Sequence, residues 1–307
     1  MSPIYLNVDG TLKKIEKQIV DAANKGAKLV VFPELILSGY PNFTMGYMDY
    51  RQKYNDSAIH VGGSEIQELA KHSEEYGIVV VFGFVEKHPD FPEVIFNSSC
   101  VINSDGKVLG THRKIAPFGA EKVIFQRGDA RDIRLFETTV GKIGIGLCFE
   151  NLNPLYRRAL SVLGEELHCA LWVTSEDTKH IVESSAVVTA VEGGVFVVVS
   201  SQVTNDPTPQ EKGMRFIGGS CVLDPLGKYL AEPMFRNEKI ICVQIDPAQW
   251  DVRKFQSRGM ESRDDLLSLN IATEPYQPFL IKNKKSKEAR ASGNERLTLI
   301  KSKPIFL

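Results

Sequence analysis

Cys148 is the residue with the strongest chemical potential in this sequence, because it follows a predicted strand. Apolar side chains alternate with small or polar ones from Val140 to Leu147, which is typical of a buried or half-buried strand. A helix is predicted to begin near Pro154, since proline is favoured in the first turn of a helix. Cys148 therefore lies at a strand-to-helix junction, where unpaired N–H groups can hold an oxyanion and the positive helix end favours a thiolate. On this segment alone, a buried core cysteine remains the alternative.

Two further reactive side chains follow strand-like segments earlier in the chain. The segment Ala27–Glu34 (AKLVVFPE) is predicted to be a strand buried on both faces, with Glu34 at its carboxyl end. Lys114 closes the segment KVLGTHRK, the second arm of a predicted hairpin. Ligands of α/β sheets bind beyond the carboxyl ends of the strands. We therefore expect Glu34, Lys114 and Cys148 to converge.

These groups are together sufficient for acyl transfer. A desolvated Glu34 can take the thiol proton and later activate water, while Cys148 attacks an electrophilic carbon. Lys114 can neutralise the negative charge that develops on the attacked atom. Glu121 is the next acid after Lys114 in the same loop, where it can orient the lysine. Each residue has an ordinary structural explanation when taken singly, so the hypothesis depends on the combination.

Neighbouring residues suggest two further interpretations. His112 lies two residues before Lys114, and an alternative is that it pairs with Cys148 as in cysteine proteases. No protease signature surrounds that cysteine. Aromatic residues flank each reactive block and are candidates to line a substrate pocket, with plain packing as the alternative for each. These residues are Tyr40, Phe43, Phe118 and Trp172.

Helical and strand-like segments alternate along both halves of the chain, with hairpins between them. Strands are predicted at GIVVVFGFVE, HCALWVTS, VFVVVSSQ and KIICVQID, and helices over about 12–23, 64–76 and 181–191. This order predicts an α/β fold, a four-layer α-β-β-α sandwich in which two sheets face each other and helices cover the outside.

Composition excludes several classes of function. The 307 residues carry 37 basic and 38 acidic side chains, so no overall field selects nucleic acid or an anionic membrane. The longest apolar run, Ala186–Val199, is interrupted by Glu192 and two glycines and is too short to span a bilayer. Five cysteines without a CxxC pair argue against a disulfide framework or a zinc site, and we expect a reducing, cytoplasmic compartment.

The three reactive blocks together resemble the signature blocks of the nitrilase (carbon–nitrogen hydrolase) superfamily. They are VFPE at 31–34, HRKIAPFGAEKVIFQRGD at 112–129 and GIGLCFENLNP at 144–154, in the family's order. The second block is similar to the lysine loop of the nitrilase branch, and CFENLNPLYRRAL resembles that branch's Cys-Trp-Glu-Asn block. The likeness also includes AVEG, GGSCVLDPLGK and RGMESRDDLLSL, and so extends through about Asn270.

The resemblance implies a mechanism and a role for each residue. Cys148 would add to a nitrile carbon to give a thioimidate, water would release ammonia and leave a thioester, and a second water would release the acid. Glu34 is then the general base, Lys114 the charge stabiliser and Glu121 the positioning acid. The backbone N–H of Phe149 is the candidate oxyanion donor. The resemblance also implies no metal or organic cofactor, a small nitrile or amide as substrate, and a homo-dimer or higher homo-oligomer.

The sequence departs from the family pattern in three places, one of which is a shorter segment between Glu150 and Ala190. Phe149 stands where the nitrilase branch usually has tryptophan, which is expected to reshape the pocket without removing the chemistry. The core strand with which family members usually begin is not found before Ser2–Asn7, so either a partner or the PIFL tail closes the sheet, or the start is truncated. We predict a hydrolase domain over residues 1–274 and a polar tail, a candidate interface arm, over 275–307.

Three functions remain on these grounds. The first is hydrolysis of a nitrile to a carboxylic acid and ammonia. The second is an amidase that uses the same residues on an amide. The third is a weakly active or inactive relative that acts as an assembly partner, an alternative suggested by the missing first strand.

Overall fold

A computed structural model describes residues 1–41, 46–204, 215–250, 266 and 269–271 of the chain. The helices are α1 (Val8–Asn24), α2 (Tyr47–Asp56), α3 (Ser64–Tyr76), α4 (Glu121–Ile124), α5 (Pro154–Leu163) and α6 (Lys179–Gly193). The strands are β1 (Leu29–Val31), β2 (Val79–Lys87), β3 (Ile95–Ile102), β4 (Val108–Arg113), β5 (Phe136–Thr138), β6 (Gly141–Leu147), β7 (Leu167–Trp172), β8 (Phe196–Ser201), β9 (Gly218–Leu223) and β10 (Tyr229–Phe235). Phe43 and the tail 275–307 lie outside the described residues.

The strands form two sheets. The first has the order β1-β2-β3-β4, and the second has the order β10-β9-β8-β7-β6-β5. Parallel pairs join β1 to β2, β6 to β7 and β7 to β8, whereas the hairpin arms β3 and β4 are antiparallel. Glu34 and Cys148 therefore lie beyond the carboxyl ends of the parallel strands β1 and β6.

Helices cover the outer faces of both sheets, and this confirms the predicted four-layer sandwich. Helices α1 and α3 bury Ile15, Ile19 and Leu69 in one cluster with Phe82 and Phe84 of β2. Alternate residues of the same sheet meet the second sheet in a central cluster that contains Val81, Val101, Ile145 and Cys169. On the far side, α6 packs Val182 and Ala186 with Val197 and Val199 of β8. Complete burial of one such side chain stabilises the fold by about 1.5–3 kcal/mol. Because successive side chains of a strand point to opposite faces, the positions of the apolar residues determine which face of each sheet packs against which layer.

The strand predicted over Ala27–Glu34 is shorter and less buried than expected. Only Leu29–Val31 form β1, and all three residues are half-buried. The reason is that β1 is the edge of its sheet and pairs with β2 alone. Val79 N–H donates to Lys28 O and Phe32 N–H donates to Val81 O, so the peptide groups of Leu29 and Val31 point to the other edge.

The segment predicted as a final strand, KIICVQID, forms no β-ladder. Ile240 packs against the core of the first sheet and Ile245 against the central cluster, but Cys242, which lies between them in the same apolar segment, is exposed. Residues 239–245 and β1 line the same groove, which has a volume of about 960 Å³. The missing first core strand remains a prediction.

In the part of the chain that the structure describes, no helix has both the length and the apolar character needed to cross a membrane.

Candidate active site

The turn after β1 presents Glu34, and its backbone is fitted closely to β2. Leu35, the next residue, adopts a left-handed conformation with φ of 46°. A Cβ atom at Gly83 of β2 would lie 2.6 Å from Pro33 O and 2.8 Å from the carbonyl carbon of Glu34. Gln202, which follows β8, donates its side-chain amide to the backbone carbonyl of Glu34. Glycine at position 83 therefore permits the approach that places Glu34 between the sheets.

Lys114 follows β4 and is fixed to the neighbouring strand. Its N–H donates to the carbonyl of Asn97 on β3 at 2.8 Å. The chain then turns to α4, which begins at Glu121. Phe118 N–H donates to Glu121 Oε2 at 3.1 Å, so the loop holds the carboxylate that its lysine contacts.

Cys148 lies at the sharp turn where β6 ends. Its φ of 51° is in the left-handed region, which is uncommon for a residue with a side chain. A 3-10 helix covers Cys148–Leu152, and α5 begins at Pro154, as predicted, with Asn153 as its N-cap. The amide of Asn151 donates to Cys148 O at 2.7 Å, and this bond holds the turn.

The predicted acidic and basic residues converge in one buried cluster. Lys114 Nζ lies 2.7 Å from Glu34 Oε1 and 2.9 Å from Glu121 Oε1, and the three side chains have no solvent exposure. The hydroxyl of Tyr40 donates to Glu121 Oε1. Cys148, which is 3% exposed, interacts electrostatically with Glu34, Lys114 and Glu121. The four residues proposed from the sequence therefore occupy one site.

Burial and the neighbouring charges determine the ionisation of this cluster. Burial raises the pKa of Glu34 to about 7, although the Lys114 ammonium acts in the opposite direction. Burial works against the charged form of Lys114, but Glu121 and Glu34 outweigh it and keep the pKa of Lys114 well above its usual range. The ammonium is therefore retained, and Glu34 is the group that titrates near neutral pH.

Burial, followed by the charge of Glu34, raises the pKa of the Cys148 thiol well above its ordinary value. Lys114 and the Phe149 N–H lower this pKa, but by less. The N–H of the turn thus acts in the predicted direction, but burial and Glu34 outweigh it and favour the protonated thiol. The short 3-10 turn does not compensate for desolvation and for a neighbouring carboxylate. Cys148 needs a base in order to react.

The predicted pocket residues lie around this cluster in different ways. Phe118 is 49% exposed and stacks on Phe149 with ring centroids 4.0 Å apart. Trp172 is buried at the end of β7 and contacts Phe149 at 5.9 Å between centroids. Tyr40 belongs to the polar cluster through its bond to Glu121. Contact of these residues with a substrate stays a prediction.

His112 is engaged away from Cys148. Its Nε2 lies 2.9 Å from Glu150 Oε2, and its Nδ1 lies 3.0 Å from Asp132 O. Since both acceptors require a donor, both ring nitrogens are committed, and the cysteine–histidine pair is wrong. Among the described residues, no group of three or more histidine, cysteine, aspartate or glutamate side chains is arranged to hold a metal ion.

Sequence reasoning missed two residues of this site. Asn97 donates its side-chain amide to Glu34 Oε1 at 2.7 Å. Gly83 permits the close approach of the Glu34 turn. Both lie inside apolar strands. The sequence feature that could have revealed them is the presence of a polar residue and of a glycine at positions where an apolar side chain is expected.

A buried Glu–Lys–Glu cluster thus lies beside a cysteine in an α-β-β-α sandwich. A family model for carbon-nitrogen hydrolases matches residues 1–255. Nitrilase 2 of Arabidopsis thaliana is 34% identical over an alignment of 316 positions that covers 94% of this chain and 91% of that protein. The bifunctional nitrilase/nitrile hydratase NIT4A of Lupinus angustifolius is 32% identical over an alignment of 305 positions that covers 90% of this chain and 85% of that protein.

A solved structure shares the fold. Nit3 of Saccharomyces cerevisiae, a member of branch 10 of the nitrilase superfamily, has a TM-score of 0.73 at 24% identity. The match covers 85% of this chain and 92% of Nit3. The chain belongs to the carbon–nitrogen hydrolase family, and it is a nitrilase-like enzyme for carbon–nitrogen bonds.

Proposed function

We propose that the chain hydrolyses a nitrile to the carboxylic acid and ammonia through covalent intermediates on Cys148. The observation that carries the proposal is the buried Glu34–Lys114–Glu121 cluster beside Cys148. Similarity to nitrilases at 32–34% identity supports nitriles as the substrate class. The substrate's side group is left open.

The first step forms a carbon–sulfur bond. Glu34 takes the proton from the Cys148 thiol, and the sulfur adds to the nitrile carbon. One carbon–nitrogen π bond breaks, its electron pair moves to the nitrogen, and the proton passes to that nitrogen to give a thioimidate. The Lys114 ammonium stabilises the negative charge while it develops.

The second and third steps each consume one water. Glu34 activates the first water, which adds to the thioimidate carbon, and the carbon–nitrogen bond breaks with release of ammonia. The resulting thioester is attacked by a second water, which releases the carboxylic acid and returns the thiol. One nitrile and two waters thus give one acid and one ammonia.

The remaining groups support these steps. Glu121 holds Lys114 at 2.9 Å and keeps the ammonium directed at the site. The N–H of Phe149 lowers the pKa of the Cys148 thiol, and it is the proposed donor to the negative charge that develops on the nitrogen or oxygen of the attacked carbon.

The same residues can also serve an amidase, which enters the sequence at the thioester stage by expelling ammonia from an amide. A panel of alkyl and aryl nitriles with their matching amides separates the two functions. Ammonia and acid from nitriles support the nitrilase proposal, whereas ammonia from amides alone assigns the chain to the amidases. Chromatography of the products also detects amide released from the nitrile.

A weakly active or inactive relative that acts as an assembly partner predicts little or no turnover on either substrate class. We infer instead an active homo-dimer or larger homo-oligomer in the cytoplasm, built on a hydrolase domain over residues 1–274 with the tail 275–307 as an interface arm. Light scattering of the full chain, with activity measured across the eluted peak, tests the oligomer. An active monomer contradicts it, and fractionation of the source cells tests the location.

A further inference from the structure

The two carboxylate oxygens of Glu34 have different surroundings. Oε1 accepts the Asn97 amide at 2.7 Å and the Lys114 ammonium at 2.7 Å. Oε2 is fully buried and has no hydrogen-bond partner among the described residues. A buried, unpaired carboxylate oxygen is costly, so its persistence calls for an explanation.

Asn97 is fixed on both sides by the sheet. On one side it pairs with Val85 of β2, and on the other its carbonyl accepts the N–H of Lys114 at 2.8 Å. The backbone that carries the Asn97 amide is therefore held in place. The Asn97 amide, unlike Lys114, carries no net charge, and its hydrogen bond both restricts the orientation of the carboxylate and favours its ionised form.

Resting on the proposed function, we propose that Asn97 is a positioning residue that, together with Lys114, occupies Oε1 of Glu34 and so makes Oε2 the oxygen that exchanges protons with Cys148 and water. Two donors on Oε1 resist rotation of the carboxylate group. The oxygen left without a donor is the one able to accept a proton, and burial keeps it away from bulk water.

Removal of the Asn97 donor has a defined electrostatic consequence. The ionisable groups that face Glu34 are Lys114, Glu121, Cys148 and Tyr40. If these stay in place, loss of the amide destabilises the Glu34 carboxylate relative to its protonated form. The bond from Asn97 lowers the pKa of Glu34. When this bond is removed, the pH–rate profile of any reaction that needs the carboxylate should therefore have its acidic limb at higher pH.

The test compares Asn97→Leu, Asn97→Asp and Ser99→Ala with the wild type. Ser99 is the matched control, because it lies two residues along β3 on the same face, is buried, and has a hydroxyl without a partner among the described residues. For nitrile hydrolysis, we expect kcat/KM to fall at least about tenfold in Asn97→Leu. In Asn97→Leu, the acidic limb of the pH profile of kcat/KM should move up by about one pH unit. It should move further in Asn97→Asp, because the new carboxylate adds a charge of the same sign as Glu34.

The second readout does not require turnover. Iodoacetamide alkylates Cys148 at a rate that depends on the same proton transfer, and mass spectrometry of the Cys148 peptide measures this rate. The acidic limb of the pH profile for alkylation should move in parallel with that for hydrolysis. A shift in alkylation with no nitrile hydrolysis by the wild type refutes the proposed function but supports the role of Asn97. An unchanged limb in Asn97→Leu, or an equal shift in Ser99→Ala, overturns the inference. If Asn97→Leu does not fold, the near-isosteric Asn97→Asp decides in the same way.

Discussion

Glu34 gives the site a pH dependence that can be measured directly. Its pKa is raised to about 7 by burial, and the proposed mechanism needs the ionised form. The active fraction is therefore lost as the pH falls through about 7, and kcat/KM for a neutral nitrile should rise over that interval. Ammonia release measured from about pH 5 to pH 9 checks this limb.

Glu34→Gln removes the base while keeping the shape of the side chain. Activity should fall by about 10²-fold or more, which is the usual contribution of a general base. Glu137→Gln is the matched control, since Glu137 is 80% exposed and pairs with Lys142 on the surface. A variant at Glu34 that retains most of the activity contradicts the role of this carboxylate.

Single residues were predictable where their chemistry was unusual for their position. Glu34, Lys114 and Cys148 each follow a predicted strand, and Glu121 shares the loop of Lys114. The protonated state of Cys148 was not predictable, because it depends on burial and on a carboxylate that is distant in sequence. Asn97 was missed since one polar residue in a strand has many structural explanations.

The turn that carries Glu34 depends on its contact with β2. Gly83→Ala places a methyl group against the backbone of Pro33 and Glu34, neither of which can move without shifting the turn. We expect a loss of about 1–3 kcal/mol in the free energy of unfolding and a large loss of kcat. Urea unfolding and ammonia release measure both quantities.

Gly62→Ala is the control for this substitution, because nothing lies within 4 Å of a Cβ atom there. It should leave both quantities unchanged. Equal effects of the two substitutions would contradict a special role for Gly83.

Glu150 ties the lysine loop to the cysteine turn. It accepts the N–H of Ile115 at 2.6 Å and the N–H of Leu147 at 2.8 Å, and it pairs with His112. Burial disfavours the charged form of His112, but Glu150 outweighs it and raises the pKa of His112. The pair's contribution to stability is therefore complete below the unfolded-state pKa of about 6.5 and is lost as the pH rises through the higher folded-state pKa.

Glu150→Gln should lower the free energy of unfolding by about 3–5 kcal/mol near pH 6, since it leaves a buried imidazolium without its anion. The loss should shrink as the pH is raised. Glu192→Gln breaks an ion pair with Arg157 in which Glu192 is 53% exposed, and it should cost about 0–1 kcal/mol. Urea unfolding at several pH values distinguishes the two, and similar costs for both variants would refute the account.

Elements with a clear period or turn were predicted, whereas elements defined by their partners were not. The hairpin of β3 and β4, the strand β7 and the start of α5 all lie where the sequence places them. The segment KIICVQID has the apolar pattern of a strand but forms no ladder. Pairing requires a neighbouring strand, and the pattern of one segment does not show whether such a neighbour is present. No helix is predicted from the sequence over Tyr47–Asp56, where α2 lies.

The balanced charge of the whole molecule makes a prediction about substrate capture. With a net charge of −1 and a neutral substrate, no long-range field steers association. Therefore kcat/KM for a neutral nitrile should change less than about twofold between roughly 0.02 and 0.5 M salt. A steep dependence on salt would indicate a charged substrate.

The layered architecture was predictable because strand and helix periods fix which faces are apolar. Alternate residues of β2 and β7 divide between the central cluster and the helix-covered faces, as that periodicity requires. The groove lined by β1 and residues 239–245 was not predictable in shape, since it depends on how far two distant segments approach.

The central claim is that a nitrile is attacked by Cys148 and retained on its sulfur. It is tested most directly by rapid acid quenching of the enzyme during nitrile turnover, with mass spectrometry of the Cys148 peptide and parallel measurement of ammonia. We expect a thioimidate or thioester adduct on that peptide in the wild type, and neither adduct nor ammonia in Cys148→Ala. Ammonia release that persists in Cys148→Ala, or an adduct on another residue, would contradict the account.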